Sequence, residues 1–144
     1  MININLYTMI CKPIEEVFDF VSQPENDIQW QYGTLNSPGF AKGLGKVGAL
    51  FRSIGHLMGR RNLSAFEVTE YEPNSKFGFK SVSGPLQSYT SYTLESAKGV
   101  TKISLSTQAN VVNFFQVDES KLEKAMKKQS MENLAILKNL LEAK

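Results

Sequence analysis

The chain has 144 residues, 42% hydrophobic and 21% charged, and sixteen basic against fourteen acidic side chains leave a net charge of +2. That length carries one hydrophobic core rather than two, and the near-balance of charge gives no case for nucleic acid, which asks for Lys and Arg gathered on one face. A lone cysteine, Cys11, excludes an intramolecular disulfide and a multi-cysteine metal site, and no apolar run approaches the roughly twenty residues of a membrane span.

Ile2, Ile4, Leu6, Thr8 and Ile10 alternate with polar neighbours, the period of a half-buried strand. Pro13 then suits a first helical turn, Glu15 and Glu16 sit where negative charge favours the helix dipole, and Ile14, Val17, Phe18 and Val21 form one apolar face. Ser22 to Asn26 breaks this helix before a second short one carrying Ile28 and Trp30. Strand signals dominate from about 33 to 112. Pro38-Gly39 reads as a turn, and Gly43-Leu44-Gly45 as a β-turn that has the composition of a lid. Strands are expected over Val47 to Leu57 and Asn62 to Tyr71 with a turn at Gly59-Arg60-Arg61. Further turns fall at Glu72-Pro73-Asn74-Ser75, Ser83-Gly84-Pro85 and Ala97-Lys98-Gly99, and bound strands through Phe77–Ser81, Leu86–Glu95 and Thr101–Ala109. The last segment, Leu122 to Leu141, is the clearest helix. Leu122, Met126, Asn133, Leu137, Leu140 and Leu141 share a stripe that must pack on the sheet, with Lys121, Lys124 and Lys128 opposite. Many strands followed by one helix give an α+β fold, expected as a single domain over 1–144.

These segments together resemble the START-like (SRPBCC) superfamily, near its polyketide cyclase/dehydrase branch. The resemblance is carried by Pro13-Ile14-Glu15-Glu16-Val17-Phe18, Trp30, Glu67 to Pro73, Tyr92-Thr93-Leu94-Glu95 with Gly99 to Ile103, and Asn133 to Glu142. It implies a helix-grip fold, in which a curved seven-stranded antiparallel sheet wraps a long C-terminal helix, with two short helices after the first strand. It also implies an internal cavity for lipids, polyketides or other apolar molecules, which some members transform.

An apolar cavity needs hydrophobic walls and a few polar groups to orient its ligand. The expected wall residues are Trp30, Tyr32, Phe51, Phe66, Phe77, Phe79, Tyr92 and Met126, each of which equally suits plain core. Gln129, Ser130 and Asn133 lie on the apolar stripe of the last helix and must find partners there, in the sheet backbone or on a ligand. His56, the only histidine, is the one weak candidate for acid–base catalysis. Glu70 and Glu72 share a face with Phe66 and Val68 only if the strand has no bulge, and a solvated edge is the better reading.

The function expected from these residues is binding or carriage of a small apolar or aromatic metabolite or lipid. The alternatives are a polyketide cyclase/dehydratase-type enzyme using the same cavity, and a regulatory protein-interaction module. No metal and no cofactor is called for, the partner is a small hydrophobic molecule rather than nucleic acid or a membrane, and a homodimer stays open. A solitary cysteine and a strand-like N-terminus fit a cytoplasmic protein.

Overall fold

The structure is a computed structural model that describes residues 1–31, 34–36, 40–42, 47–111 and 118–144, with 34–36 and 40–42 described as backbone. The expected turn at Pro38-Gly39, the lid candidate Gly43-Leu44-Gly45 and the aromatics Tyr32, Phe114 and Phe115 lie outside the described residues.

Strand β1 (Ile2–Ile10) buries Ile2, Ile4 and Ile10 and exposes Asn3, Asn5, Tyr7 and Met9, as its period of two requires. Helix α1 (Ile14–Val21) starts after Pro13 and buries Val17, Phe18, Phe20 and Val21. A 3-10 turn, Pro24–Asn26, leads into the single-turn α2 (Asp27–Trp30), whose last residue is buried. Strands β2 (Thr34–Asn36), β3 (Phe40–Lys42), β4 (Leu50–Leu57), β5 (Arg60–Glu72), β6 (Lys76–Ser83), β7 (Leu86–Ala97) and β8 (Val100–Val111) follow, and α3 (Glu119–Glu142) closes the chain.

The sheet is antiparallel and curled, in the order β1-β8-β7-β6-β5-β4, with β2 and β3 both on the outer edge of β4. It therefore has six long strands rather than the seven expected. The remaining row consists of two three-residue segments, and the sequence between them contains Pro38, which has no amide to give to a ladder. The β4–β5 hairpin also turns one residue earlier than the sequence suggested. Met58 and Gly59, at φ of 54° and 75°, make a two-residue turn and leave Arg60 and Arg61 in the ladder.

Strand β5 carries the irregularity that decides its faces. Val68 pairs with Phe79 but Glu70 pairs with Gly78, so Thr69 is the extra residue of a bulge. The bulge reverses parity, which turns Tyr71 inward against Phe18 and Phe77 and places Glu70 on the outer face, ion-paired to Lys76 at 2.8 Å.

Helix α3 begins a turn before the expected Leu122 because Asp118 caps it, accepting from the Ser120 amide at 3.4 Å. It also covers an edge. Strand β1 pairs only with β8, and backbone groups near both ends of its free edge meet side chains of α3. Glu123 accepts from the Asn3 amide at 3.2 Å, Glu142 accepts from the Cys11 amide just beyond the strand at 2.8 Å, and Lys138 donates to the Met9 carbonyl at 2.6 Å. Edge groups held this way are unavailable for pairing with another chain.

Two apolar clusters divide the interior. The larger gathers α1, Trp30, Phe51, Val68, Phe77, Leu94 and Ile103 around Leu134, Leu137 and Leu141 of α3. The smaller gathers Ile2, Ile4, Leu57 and Ala109 around Leu122. The stretch of α3 between these anchors is the one that carries Gln129, Ser130 and Asn133.

Candidate functional site

The inward series of each central strand changes character along its length. In β6 it runs Phe77, Phe79, Ser81, and in β8 Ile103, Leu105, Thr107. In β7, read backwards, it runs Leu94, Tyr92, Thr90, Ser88; in β5, also backwards, Phe66, Ser64, Asn62; in β4, Phe51, Ser53, Gly55. Because the strands are antiparallel, the bulky ends fall together and so do the small ones, with Ser53 opposite Ser64, Gly55 opposite Asn62, and Thr90 opposite Thr107. Bulky side chains reach α3 and fill the space; Ser, Thr and Gly do not. A cavity of about 230 Å³ results, between the two apolar clusters.

Trp30, Phe66, Phe79, Tyr92 and Leu105 form its apolar end, and Met126, Gln129, Ser130 and Asn133 face it from α3. Of the wall residues expected from sequence, Phe51 and Phe77 stand outside the lining. Phe51 stacks on Phe66 and meets Phe79 edge-on, both at 5.2 Å between centroids, and Phe77 lies 5.7 Å from Phe79, so both form the layer behind the wall. Tyr32 lies outside the described residues. Gln129 donates through Nε2 to the backbone carbonyl of His56 at 3.2 Å. That is the internal satisfaction a polar residue on an apolar stripe requires. His56 borders the cavity, but strand alternation places its side chain on the face opposite Gly55 and Leu57, and its contact with α3 is through the carbonyl.

Sequence reasoning missed Gln31, Gly55, Leu57, Leu86 and Leu105 of the lining and, above all, the small polar residues: Ser53, Asn62, Ser64, Ser81, Ser88, Thr90 and Thr107. The signal was present, since Ser53, Ser64, Ser81, Thr90 and Thr107 each follow a bulky residue two positions along the strand and Asn62 and Ser88 continue two of those series, but it shows only when the five strands are read side by side. Two of them also shape the sheet. Ser81 accepts from the Ser88 amide at 2.9 Å and donates to the Leu86 carbonyl at 3.0 Å, standing in for the ladder where β6 and β7 part beyond Lys80 and Tyr89.

No Asp, Glu, Lys or Arg is among the described residues that line the cavity. A charged ligand would therefore leave water without a counter-charge. At the apolar end the rings of Trp30 and Tyr92 meet edge-on, 5.9 Å between centroids. The indole Nε1 of Trp30 is buried with no hydrogen-bond partner among the described residues. Burial, and secondarily the charge of Asp27, pushes the Tyr92 phenol far above its ordinary range, so it remains an O–H group. Asp27, half-buried at the start of α2, has its own carboxyl raised well above the usual carboxylate value, first by burial and then by Glu25.

Among the described residues no helix is long and apolar enough to cross a membrane, and no three His, Cys, Asp or Glu side chains come together as metal ligands.

The fold is shared widely. TTHA0849 from Thermus thermophilus superposes with a TM-score of 0.83 at 14% identity, covering 98% of this chain and 97% of its own. The Zhui aromatase/cyclase from Streptomyces sp. R1128 gives 0.82 at 11% identity, covering 97% and 93%. Ara h 8.0201 gives 0.75 at 12% identity, covering 99% and 98%. These identities show the fold alone. Comparison with curated proteins returns no match. The sequence itself matches the family described as "Activator of Hsp90 ATPase homolog 1-like protein" over residues 12–142, and on that extent the chain belongs to this family, within the SRPBCC superfamily that its segments resemble.

Proposed function

We propose that this protein binds a compact, neutral small molecule, part aromatic and part oxygenated, in the cavity between its sheet and α3. The observation that carries the reading is the lining: an apolar end of Trp30, Phe66, Phe79 and Tyr92 grading into a field of uncharged hydroxyls and amides. Apolar area buried on the first contributes roughly 25 cal/mol per Å² before ordering costs, and the second orients the ligand. The volume of about 230 Å³ lies below the ~300–1,000 Å³ of drug-sized sites, which suits one or two rings better than a sterol or a two-chain lipid. The test is a calorimetric titration with 2-naphthol and with 2-naphthoate. The naphthol is expected to bind and the carboxylate to be rejected; equal binding of the two, or none of either, contradicts the reading.

A second reading is a cyclase or dehydratase acting in the same space, as the name of the Streptomyces neighbour suggests for that protein. Its support here is Tyr92, a phenol kept protonated at the cavity wall, rather than His56, whose contact with α3 is through its backbone carbonyl.

A further inference from the structure

Resting on that reading of the cavity as a ligand site, we infer that its α2 end is a donor pole: the Trp30 indole N–H and the Tyr92 hydroxyl together take one carbonyl oxygen of a neutral ring ligand. Three observations lead there. Trp30 is 2% exposed and lines the cavity, and its Nε1 meets no acceptor among the described residues. An indole N–H only donates, so whatever satisfies it must be an acceptor. Buried donors left unmet are costly, and native interiors rarely keep them. Tyr92 is 5% exposed, lines the same wall, and holds its ring 5.9 Å from that of Trp30. A carbonyl oxygen has two lone pairs and can receive both donors at once, which a hydrocarbon cannot.

The surroundings favour a neutral acceptor over an anion. No Lys or Arg borders the cavity among the described residues, and the charge of Asp27 acts on Tyr92, so a second negative charge there would be opposed. Burial first, and that charge second, keep Tyr92 a donor instead of a phenolate.

The test uses two probes of one skeleton, 1-tetralone and tetralin, followed by ¹⁵N–¹H NMR. Trp30 is the only tryptophan, so the spectrum holds a single indole resonance. The ketone is expected to bind about tenfold more tightly than the hydrocarbon, the worth of one net hydrogen bond, and to move the indole proton downfield as tetralin does not. Tyr92→Phe is expected to lower the ketone's affinity several-fold relative to that of tetralin. Equal affinities with the indole resonance unmoved by either probe overturn the donor pole while leaving the cavity a binding site. Binding of neither probe overturns both readings.

Discussion

The side-chain amide of Gln129 on α3 donates to the main-chain carbonyl of His56 on β4, 3.2 Å away, and so ties the closing helix to the sheet beside the cavity. The bond links residues 73 apart in sequence and uses the backbone of His56, not its imidazole. Gln129→Leu removes the donor from a partly buried carbonyl and is expected to cost about 1 kcal/mol in chemical denaturation. His56→Ala keeps that carbonyl, so 2-naphthol should bind it as it binds the parent. A large loss of affinity in His56→Ala would return the imidazole to the site.

On the outer face, the Glu70 side chain lies across Gly78 to reach Lys76 and the Tyr89 hydroxyl. A Cβ at position 78 would stand 2.7 Å from the Glu70 Oε1 and 3.3 Å from its Cβ. Gly78→Ala should therefore displace the carboxylate and destabilise the fold, and the penalty should shrink when Glu70→Ala is made as well. Additive effects in that double-mutant cycle would contradict the arrangement.

Glu70 also gives a pH signature. Hydrogen bonds from Lys76 and then Tyr89 lower its carboxyl below the ordinary glutamate value. A lowered folded value means that its contribution is present above the unfolded value, ~4.3, and is lost as pH falls through the folded one. The stability gap between the parent and Glu70→Gln should be open at pH 7 and close in acid, followed by denaturant midpoints.

Asp27 runs the other way. Its carboxyl is raised by burial and by Glu25, so its favourable contribution is complete below the unfolded value, ~3.9, and is lost as pH rises through the folded one. Asp27→Asn, which never acquires the charge, should be more stable than the parent at pH 7, and the two should converge as pH falls toward 4. A gap independent of pH would show that Asp27 is ordinarily solvated.

Much of this architecture is legible in the sequence, because it rests on short-range rules. The alternation from Ile2 to Ile10, the start at Pro13, and the turns at Asn74 and Lys98-Gly99 are each set within a few residues. The bulge at Thr69 is not, since nothing nearby in the chain says that Glu70 will leave the face that Phe66 and Val68 begin; the pull comes from Lys76 and Tyr89 on neighbouring strands. The cavity divides in the same way. Trp30, Tyr92 and Gln129 stand out by residue type, whereas Ser53, Ser64, Ser88 and Thr107 are ordinary strand residues until antiparallel register sets them side by side. Phe51 and Phe77 have the residue type of a wall but occupy the layer behind it, and only their distances to Phe66 and Phe79 show that.

Ser88 and Thr90 are among the small side chains that line the cavity beneath α3. Thr90→Trp should fill it, and repeating the 2-naphthol titration against this variant, with circular dichroism confirming the fold, separates the cavity from surface binding. Native mass spectrometry of the freshly purified parent beside Thr90→Trp tests the central claim most directly. The account predicts a neutral small molecule, released on activation, carried one to one by the parent and absent from the filled variant. The same added mass on both proteins, or a ligand-free parent that also ignores 2-naphthol, would contradict it.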